Sequence, residues 1–403
     1  MRVVSGMEGV AVSVPGPSLV DRSGNLYPAD RPRWRGDDGG PLVFEPLPGI
    51  GRKQIDTAIN SQWRYRAALP NPLAHIDPVT LGEGRTPLLT WTFDGIDVGL
   101  KVESMNPTGS FKDRGVAVMV TALRHQGVGR LLEDSSGNGG SSVAAYCAAA
   151  GIDAHILVPA ATSPNKILQS RWHGAHIELA SGTRQEVADE AVRRAETTFY
   201  ASHNWHPYFL QGIKLIAYEI WEDLGFRAPT AVLVPAGAGS LVLGCAIGFG
   251  ELHRAGAIEL MPRILVSQPQ NCCPLVTAME QGRDDVAVHQ WSTTVAEGTA
   301  IAKPVRDREV LQAIRDTGGT AVAVPEDELL PAVGELARAG LFVEPTSAQV
   351  VPALRRLRAA GEISAADTVV AVLTGSGLKA SHLLTPGHNA GAGGLQSHTA
   401  GPS

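Results

Sequence analysis

Lys112 is the side chain of this sequence whose type and position most suggest covalent chemistry. It lies where a turn, Asn106-Pro107-Thr108-Gly109, leads into an apolar run of helical periodicity over 116–123. The chain has 7 lysines against 27 arginines, so arginine supplies most of its positive charge. A lysine at this corner suggests an amine used as a nucleophile, because lysine can lose its proton when desolvated and arginine effectively cannot. The stretch also fits a solvent-facing lysine at a helix start, and the rest of the chain decides between the two.

Three glycine-rich loops, each after a predicted strand, offer groups that bind anions or polar rings. The first combines hydroxyls, backbone amides and a carboxamide at the start of a predicted helix, where the helix dipole also favours anions. It contains Ser135, Ser136, Gly137, Asn138 and Gly139. The second has the spacing of a backbone nest at a helix N-terminus, which suits a phosphate. It contains Ala236, Gly237, Ala238, Gly239 and Ser240. The third, 373–379, presents the Thr374 hydroxyl at a strand end.

The spacing of these loops excludes two common nucleotide sites. None has the G-x-G-x-x-G spacing of a dinucleotide-binding loop, and none has the Gly-Lys-Ser/Thr of a P-loop. A phosphate loop, a small-anion loop, a hydroxyl at a strand end and an activated lysine remain. This set suits pyridoxal 5'-phosphate, which needs a lysine for its aldehyde, a nest for its phosphate and a partner for its pyridine nitrogen.

Predicted strands and helices alternate beyond Lys112, from a strand at 130–133 to one at 368–373. This order indicates an α/β fold with parallel or mixed sheets covered by helices on both faces, and a length of 403 residues predicts two lobes. Ligands of such folds lie beyond the carboxyl ends of the strands, where the glycine loops fall. The predicted parts are an N-terminal extension (1–46), a large cofactor-binding lobe (47–102 and 208–385), a small lobe (103–207) and a disordered tail (386–403).

Composition restricts the partners and the compartment. The net charge is −6 with no run of lysine or arginine, which argues against a nucleic-acid partner. No apolar stretch approaches the roughly 20 residues that span a bilayer, and the N-terminus lacks the apolar core of a signal peptide. The 4 cysteines suggest no disulfide framework, so a cytoplasmic protein is expected.

The chain resembles the threonine synthases, a family of fold-type II pyridoxal phosphate enzymes, from Gly82 to Lys379. The ten residues from Asn106 to Gly115 match the family motif around the cofactor lysine. The resemblance therefore implies that Lys112 holds the cofactor and is the catalytic base. The loop 135–138 is similar to the family's substrate-carboxylate loop, which implies that Asn138 also lies beside the cofactor's phenolic oxygen.

The later motifs imply the remaining contacts. Residues 237–240 match the family's phosphate cup, although the family often has asparagine where this chain has Ala236 or Ser240. Thr374 matches the residue that partners the pyridine nitrogen, and a neutral hydroxyl there leaves that nitrogen largely unprotonated. Residues 344–348 match a wall of the pocket. A homodimer is typical of the fold, and the resemblance implies one here.

The N-terminal extension departs from part of the family. Some relatives begin with a cysteine zinc knuckle that ends in Arg-Trp-x-Cys and Cys-Gly-Gly-Pro-Leu. The corresponding stretch here, 32–42, contains Arg33-Trp34 and Gly39-Gly40-Pro41-Leu42 but no cysteine. Because thiolates are absent, no structural zinc site is expected, and no metal is predicted elsewhere.

A second departure concerns the substrate. Threonine synthases commonly carry an arginine that contacts the substrate phosphate where this chain has Phe209, and phenylalanine cannot make that charged bidentate contact. Ser202, His203, Asn204 and Lys214 are nearby polar candidates to replace it. His203 and His206 also have a spacing that a metal would accept, but no carboxylate or cysteine completes a set, so a polar turn with substrate contacts is the interpretation.

The predicted function is that of a lyase or replacement enzyme acting on an amino acid with a leaving group. Conversion of O-phosphohomoserine to threonine and phosphate is the first hypothesis, with substrate contacts at the 135–139 loop, His203, Asn204 and the Phe209 position. The alternative is β-replacement or β-elimination on an O-phosphoserine-like or specialised amino acid, as in cysteate synthase-like or dehydratase-like relatives. A more distant alternative is a non-catalytic protein that binds pyridoxal phosphate or an amino acid.

Overall fold

A computed structural model describes residues 17–384, and the strands of this part of the chain form three sheets. In chain order the strands are β1 (Leu19–Val20), β2 (Leu26–Tyr27), β3 (Val43–Phe44), β4 (Leu88–Phe93), β5 (Ile96–Val102), β6 (Arg130–Glu133), β7 (Asp153–Pro159), β8 (His176–Ala180), β9 (Phe199–Tyr200), β10 (Ala231–Pro235), β11 (Arg263–Pro269), β12 (Ala321–Val324) and β13 (Val369–Leu373). The α-helices are α1 (Lys112–His125), α2 (Asn138–Ala150), α3 (Pro164–Trp172), α4 (Arg184–Arg194), α5 (Pro207–Ile213), α6 (Leu215–Asp223), α7 (Ser240–Arg254), α8 (Pro274–Glu280), α9 (Asp307–Asp316), α10 (Glu326–Arg338), α11 (Pro345–Ala348) and α12 (Val350–Ala359). Short 3₁₀-helices lie at Arg52–Gln54, Gln62–Ala68, Glu103–Met105, Gln270–Cys272, Glu297–Thr299 and Gly377–Ala380.

The largest sheet has the strand order β12-β11-β10-β13-β5-β4. Neighbouring strands are parallel except β4 and β5, which pair antiparallel at one edge. All residues of β10 and β13 are buried, as expected for central parallel strands with apolar side chains on both faces. The predicted α/β fold with parallel and mixed sheets is confirmed.

The second sheet is smaller and entirely parallel, with the order β8-β7-β6-β9. The chain leaves the large sheet after β5, forms the small sheet between 130 and 200, and returns to the large sheet with β10. This course is compatible with the predicted large and small lobes, and their division as separate units stays a prediction.

Helix α1, which begins at Lys112, is anchored by buried charges. Arg114 donates from Nε to Glu103 at 2.7 Å and from Nη2 to Glu219 at 2.8 Å, and all three side chains are fully buried. The amine of Lys101 lies 2.6 Å from the same oxygen of Glu219. Buried charges are tolerated when they are paired and hydrogen-bonded in this way. Since Glu103 follows β5 and Glu219 lies in α6, the first turn of α1 is fixed to both elements.

The N-terminal extension forms the third sheet, β2-β1-β3, where the sequence gives only weak strand signals. Asp21 organises it by accepting hydrogen bonds from the hydroxyl of Tyr27 at 2.6 Å and from the backbone amides of Ser23 and Asn25. The knuckle-like stretch closes through a bridge between Arg35 and Pro41. Within residues 17–384 no group of three His, Cys, Asp or Glu side chains could hold a metal ion. Residues 1–16 and the tail predicted as disordered, 386–403, lie outside the described residues.

The helical residues 207–223 are divided into α5 and α6 at Lys214. The amide of Ala217 donates to the carbonyl of Lys214, a tighter bond than the regular α-helical one. Gly248 of α7 packs against the same carbonyl, because a Cβ there would lie 2.4 Å from its oxygen. Close approach of a third helix therefore accompanies the break. No helix in the described part of the chain is both long and apolar enough to span a bilayer.

Candidate active site

The strand-end loops converge on one cavity of about 430 Å³, which contains Lys112 in its wall. The cavity lies where β6, β10 and β13 end, at the carboxyl edges of both parallel sheets, as the α/β pattern predicts. The predicted site residues that line it are Lys112, Ser135, Ser136, Gly137, Asn138, Gly139, His203, Asn204, Gly237, Ala238, Gly239, Ser240 and Thr374. Two predicted residues, Ala236 and Phe209, do not line it.

Lys112 is half-buried at the first position of α1, and its amine lies among aromatic rings. Its Nζ is 4.7 Å from the ring centroid of Phe111 and 5.4 Å from that of Phe209. Burial lowers the pKa of this amine to about 8, although the negative charge of Glu133 acts in the opposite direction. Near neutral pH a useful fraction of the amine is therefore unprotonated and nucleophilic.

The second glycine loop packs closely against its protein neighbours and lies at the N-terminus of α7. Gly239 has a φ of 82° at the N-cap of α7, and a Cβ there would lie 2.3 Å from Val310. A Cβ on Gly237 would lie 2.9 Å from the carbonyl oxygen of Gly298. The first amides of the 15-residue helix α7 have no intrahelical partner and point out of its N-terminus, where the helix dipole favours a negative charge. This loop can hold a phosphate.

Thr374 belongs to a hydrogen-bonded group on the opposite wall. Its hydroxyl lies 2.8 Å from that of Ser347 and donates to Glu344 at 3.3 Å. Both oxygens of the Glu344 carboxylate accept from the carboxamide of Asn138 at 3.1 Å, which ties the first glycine loop to this wall. Burial raises the pKa of Glu344, with Asn138 acting against the rise. The sequence indicates Glu344 only as part of a wall, whereas the structure gives it contacts with two predicted site residues.

His203 faces the cavity from the turn before α5 and is held by a buried carboxylate. Its Nδ1 lies 3.2 and 3.3 Å from the two oxygens of Glu133, and its backbone amide donates to the same group at 3.2 Å. A Cβ on Gly139 would lie 2.5 Å from the imidazole, so glycine is needed in the first loop to admit this ring. Asn204 beside it is fixed through its carbonyl, which accepts from Arg306 at 3.3 Å.

Several residues considered from the sequence lie behind the cavity wall. Phe209 is fully buried against Gly115, where a Cβ would lie 2.4 Å from its ring. Ala236 is buried, and its carbonyl accepts from Gln268 at 2.9 Å. The expectation that Lys214 could replace the missing phosphate contact is wrong, because its amine is fully buried. It bonds instead to Glu251 at 2.6 Å and to the carbonyl of Ala68 at 2.8 Å.

Sequence reasoning missed charged residues at the cavity that come from distant parts of the chain. Lys166 of α3 pairs with Glu297 at 2.7 Å, which joins the helices of the small sheet to a 3₁₀-helix beside the large one. Arg184 is the first residue of α4, and its side chain makes no hydrogen bond or ion pair within residues 17–384. Lys379 donates to Thr108, Ser141 and Gln169 at 2.6–3.0 Å. No local sequence motif could have identified Lys166 or Arg184 as cavity residues.

Comparison with known sequences identifies the family of the chain. The family described as "Pyridoxal-phosphate dependent enzyme" matches residues 79–375. A threonine synthase of Methanosarcina acetivorans is 35% identical over 82% of this chain and 83% of its own length. That of Methanocaldococcus jannaschii is 34% identical over 79% of this chain and 80% of its own. The corresponding values for that of Mycobacterium tuberculosis are 34%, 75% and 84%.

Solved structures support the same fold. A threonine deaminase from T.th. has a TM-score of 0.61 at 27% identity, covering 72% of this chain and 92% of its own. A threonine deaminase isoform from Solanum lycopersicum has a TM-score of 0.65 at 21% identity, with 88% and 98% coverage. At 21% identity, the similarity to the Solanum lycopersicum structure shows only that the fold is shared.

Proposed function

The chain belongs to the pyridoxal-phosphate dependent enzyme family and is a lyase of that family, and we propose that its reaction is the conversion of O-phosphohomoserine to threonine and phosphate. One observation of the site carries this proposal: a lysine whose amine has a lowered pKa shares a cavity with a glycine cup at a helix N-terminus and a hydroxyl at a strand end. The sequence relatives direct the choice of reaction.

The residues present fit the cofactor. Close packing against Gly298 and Val310 leaves no room for a Cβ on Gly237 or Gly239, so the loop keeps the glycine-rich backbone of a phosphate cradle. We assign the phosphate to the amides of 237–240, the aldehyde to Lys112, the phenolic oxygen to Asn138 and the pyridine nitrogen to Thr374. Ala236 belongs to the same loop but faces away. Bound pyridoxal phosphate supplies an electron-withdrawing group that weakens bonds at the substrate's α carbon.

In the proposed reaction the protein groups bind the substrate and move its protons. Ser135, Ser136 and the amides of 137–139 receive the substrate carboxylate at the start of α2, where the helix dipole favours a negative charge. Lys112 is the base, because its buried amine is partly neutral near pH 7. It can take a proton from one substrate carbon and deliver it to the neighbouring carbon.

The substrate phosphate needs cations that Phe209 cannot supply. Lys166 and Arg184 line the cavity, and we assign the phosphate to them. His203 and Asn204 remain the predicted polar contacts. The absence of a cation at position 209 favours a second candidate function, β-replacement or β-elimination on an O-phosphoserine-like or specialised amino acid. That substrate would be one carbon shorter and would place its leaving group elsewhere in the cavity.

A homodimer and a cytoplasmic location complete the proposal. The homodimer is supported only by the resemblance to the family, and the mass of the purified chain in solution tests it. The cytoplasmic location is supported by four free, buried cysteines, which suit a reducing compartment.

The absorption spectrum of the purified chain tests the assignment. Chain supplied with pyridoxal phosphate is expected to show a visible band that Lys112→Ala lacks. Addition of O-phosphohomoserine is expected to shift the band and to release phosphate and threonine in equal amounts. A band that shifts only with O-phosphoserine-like amino acids would favour the second candidate. Normal turnover by Lys112→Ala would contradict the catalytic assignment, and cofactor binding without turnover of any amino acid would favour a non-catalytic binding protein.

A further inference from the structure

The cavity holds a second group that can accept a proton, the imidazole of His203. Its Nδ1 lies within 3.3 Å of both oxygens of Glu133. A carboxylate only accepts hydrogen bonds, so Nδ1 carries the proton of the neutral ring and the lone pair is on Nε2. Nε2 has no hydrogen-bond partner in the described part of the chain, and His203 lines the cavity. Its acceptor is therefore available to a ligand.

The environment keeps this ring neutral. Burial lowers the pKa of His203 well below its ordinary value, and the charges of Lys112 and Arg184 lower it further, while Asp134 acts against them. Glu133 is fully buried and also accepts from the amides of His203 and Asp134. Burial raises the pKa of Glu133, whereas its hydrogen bonds from Asp134 and His203 and the charge of Arg184 lower it. The ionised carboxylate at 3.2 Å from Nδ1 stabilises an imidazolium as a proton arrives.

The turn that carries His203 is fixed on both sides. Asp134 accepts from the hydroxyls of Tyr200 at 3.0 Å and Ser202 at 3.1 Å. Arg306 donates to the carbonyls of Asn204 and Trp205 from the other direction. A side chain that only filled space would not need such a network, whereas a proton acceptor must be held in one orientation.

The ring of Phe209 lies behind the cavity wall and is near both groups. The Lys112 amine is 5.4 Å from its centroid, and the imidazole centroid is 5.5 Å away with the two rings at 64°. This apolar ring contributes to the burial that lowers the pKa of both bases.

The proposed reaction has two separate proton tasks. One proton moves between substrate carbons, which is the role assigned to Lys112. The other leaves the water molecule that supplies the threonine hydroxyl, and the departing phosphate takes up one proton overall. The phosphate leaves the terminal carbon with the electron pair of its C–O bond, and water supplies the pair for the new C–O bond at the neighbouring carbon. The neighbouring carbon loses one C–H bond, and the proton that Lys112 moves forms a new C–H bond at the terminal carbon, which becomes the methyl group of threonine.

We propose that His203, oriented by Glu133, is the base that takes the proton from the incoming water and passes it to the released phosphate. This inference rests on the proposed function. In it, Nε2 binds the water, the O–H bond breaks as the C–O bond forms, and the proton leaves the site with the phosphate. Glu133 is a positioning residue, because it acts through the imidazole.

His203→Gln and His203→Ala test the inference when two steps are followed in D₂O. Exchange of the substrate's carbon-bound protons with solvent measures proton transfer by Lys112. Threonine formation measures the addition of water. Exchange is expected to stay within about twofold of the wild type, while threonine formation falls by about 10²–10⁴-fold. Imidazole added to His203→Ala is expected to restore part of the rate. Glu133→Gln is expected to lower threonine formation with exchange retained.

His206→Ala is the matched control, since this histidine lies in the same turn, is buried and does not line the cavity. Imidazole should not accelerate it. Equal losses of exchange and threonine formation in His203→Gln, or normal threonine formation, would overturn the inference alone. A wild-type chain that forms no threonine from O-phosphohomoserine would instead overturn the proposed function, and this inference with it. Nitrogen NMR of the cofactor-free chain adds a readout without turnover: a proton on Nε2 rather than Nδ1 would also contradict the proposal.

Discussion

The amine of Lys112 lies over the ring of Phe209, with Nζ 5.4 Å from the ring centroid. Phe209 is fully buried and packs against Gly115, three residues further along α1. The residue that stands where relatives commonly have a phosphate-binding arginine is therefore an apolar floor under the reactive amine. It contributes to the desolvation that lowers the pKa of Lys112.

Restoring an arginine at this position is expected to damage the protein. Phe209→Arg would bury an unpaired charge against α1, which costs about 3 kcal/mol or more of the free energy of unfolding. The urea midpoint of the cofactor-free chain measures this loss. Phe209→Leu is the control, because it keeps the site apolar and should cost about half as much or less. If Phe209→Arg is as stable as the wild type and has a lower KM for O-phosphohomoserine, the interpretation of Phe209 as an apolar residue packed under the Lys112 amine is wrong.

The pKa of Lys112 predicts the pH dependence of cofactor uptake. Attack on the aldehyde needs the neutral amine, so the uptake rate of the cofactor-free chain should rise as pH increases and level off above about 8. An unperturbed lysine would level off near about 10.4. The growth of the visible band after mixing measures the rate. A lysine peptide treated in the same way corrects for the ionisation of the cofactor itself, and parallel profiles for peptide and protein would contradict the lowered pKa.

Local motifs were sufficient to find the cavity residues that we assign to the cofactor. Lys112 and Thr374 each lie at a junction between a predicted strand and the following turn or helix, and the loop 237–240 has its own glycine spacing. Such junctions fall at one edge of a parallel sheet whatever the details of packing. The strand-helix alternation therefore predicts both the fold and the place where these loops meet.

Other parts of the site could not be predicted in the same way. Lys166 lies in α3 and Arg184 begins α4, and charged side chains of such surface helices are usually solvent-exposed. His203 is predicted from its polar turn, but its contact with Glu133 joins residues 70 positions apart. Only the packing of the chain brings the two cations to the cavity and Glu133 to His203, and nothing in the sequence around Lys166, Arg184 or Glu133 indicates it.

Gly239→Ala is expected to weaken cofactor binding. Its φ of 82° disfavours any side chain, and its Cβ would lie 2.3 Å from Val310, so the cup must shift. Loss of one amide bond to a charged phosphate, worth about 1.5–3 kcal/mol, weakens binding about 10–100-fold. Titration of the visible band measures the affinity. Gly256→Ala is the control, because this glycine follows the other end of α7 with a φ of 67° and open space around its Cβ position.

Alanine at either position strains the backbone and lowers the free energy of unfolding by about 1–2 kcal/mol. Comparing the two variants therefore separates the effect of backbone strain from the loss of the phosphate cup. Thermal unfolding of the cofactor-free variants should therefore show a decrease for both. Only Gly239→Ala should need more cofactor to reach half saturation. Equal affinities of the two variants would contradict the assignment of the cofactor phosphate to 237–240.

Arg184→Ala is expected to raise the KM for O-phosphohomoserine with little change in kcat. Arg184 lines the cavity without an ion-pair partner among residues 17–384, so its guanidinium can bind a substrate phosphate. Its exposure weakens the contact through solvent screening, so a rise of about threefold to tenfold is expected. Steady-state kinetics with O-phosphohomoserine measures the change.

Arg193→Ala provides the control for this effect. Arg193 lies on the same helix, is exposed, and pairs with Glu190 at 2.7 Å outside the cavity. Its loss removes the same formal charge from α4 without touching the proposed phosphate site. An uncharged ester of homoserine gives a second comparison, since Arg184→Ala should leave its KM unchanged. If both arginine variants raise KM alike, long-range charge explains the effect, and the substrate phosphate lies elsewhere.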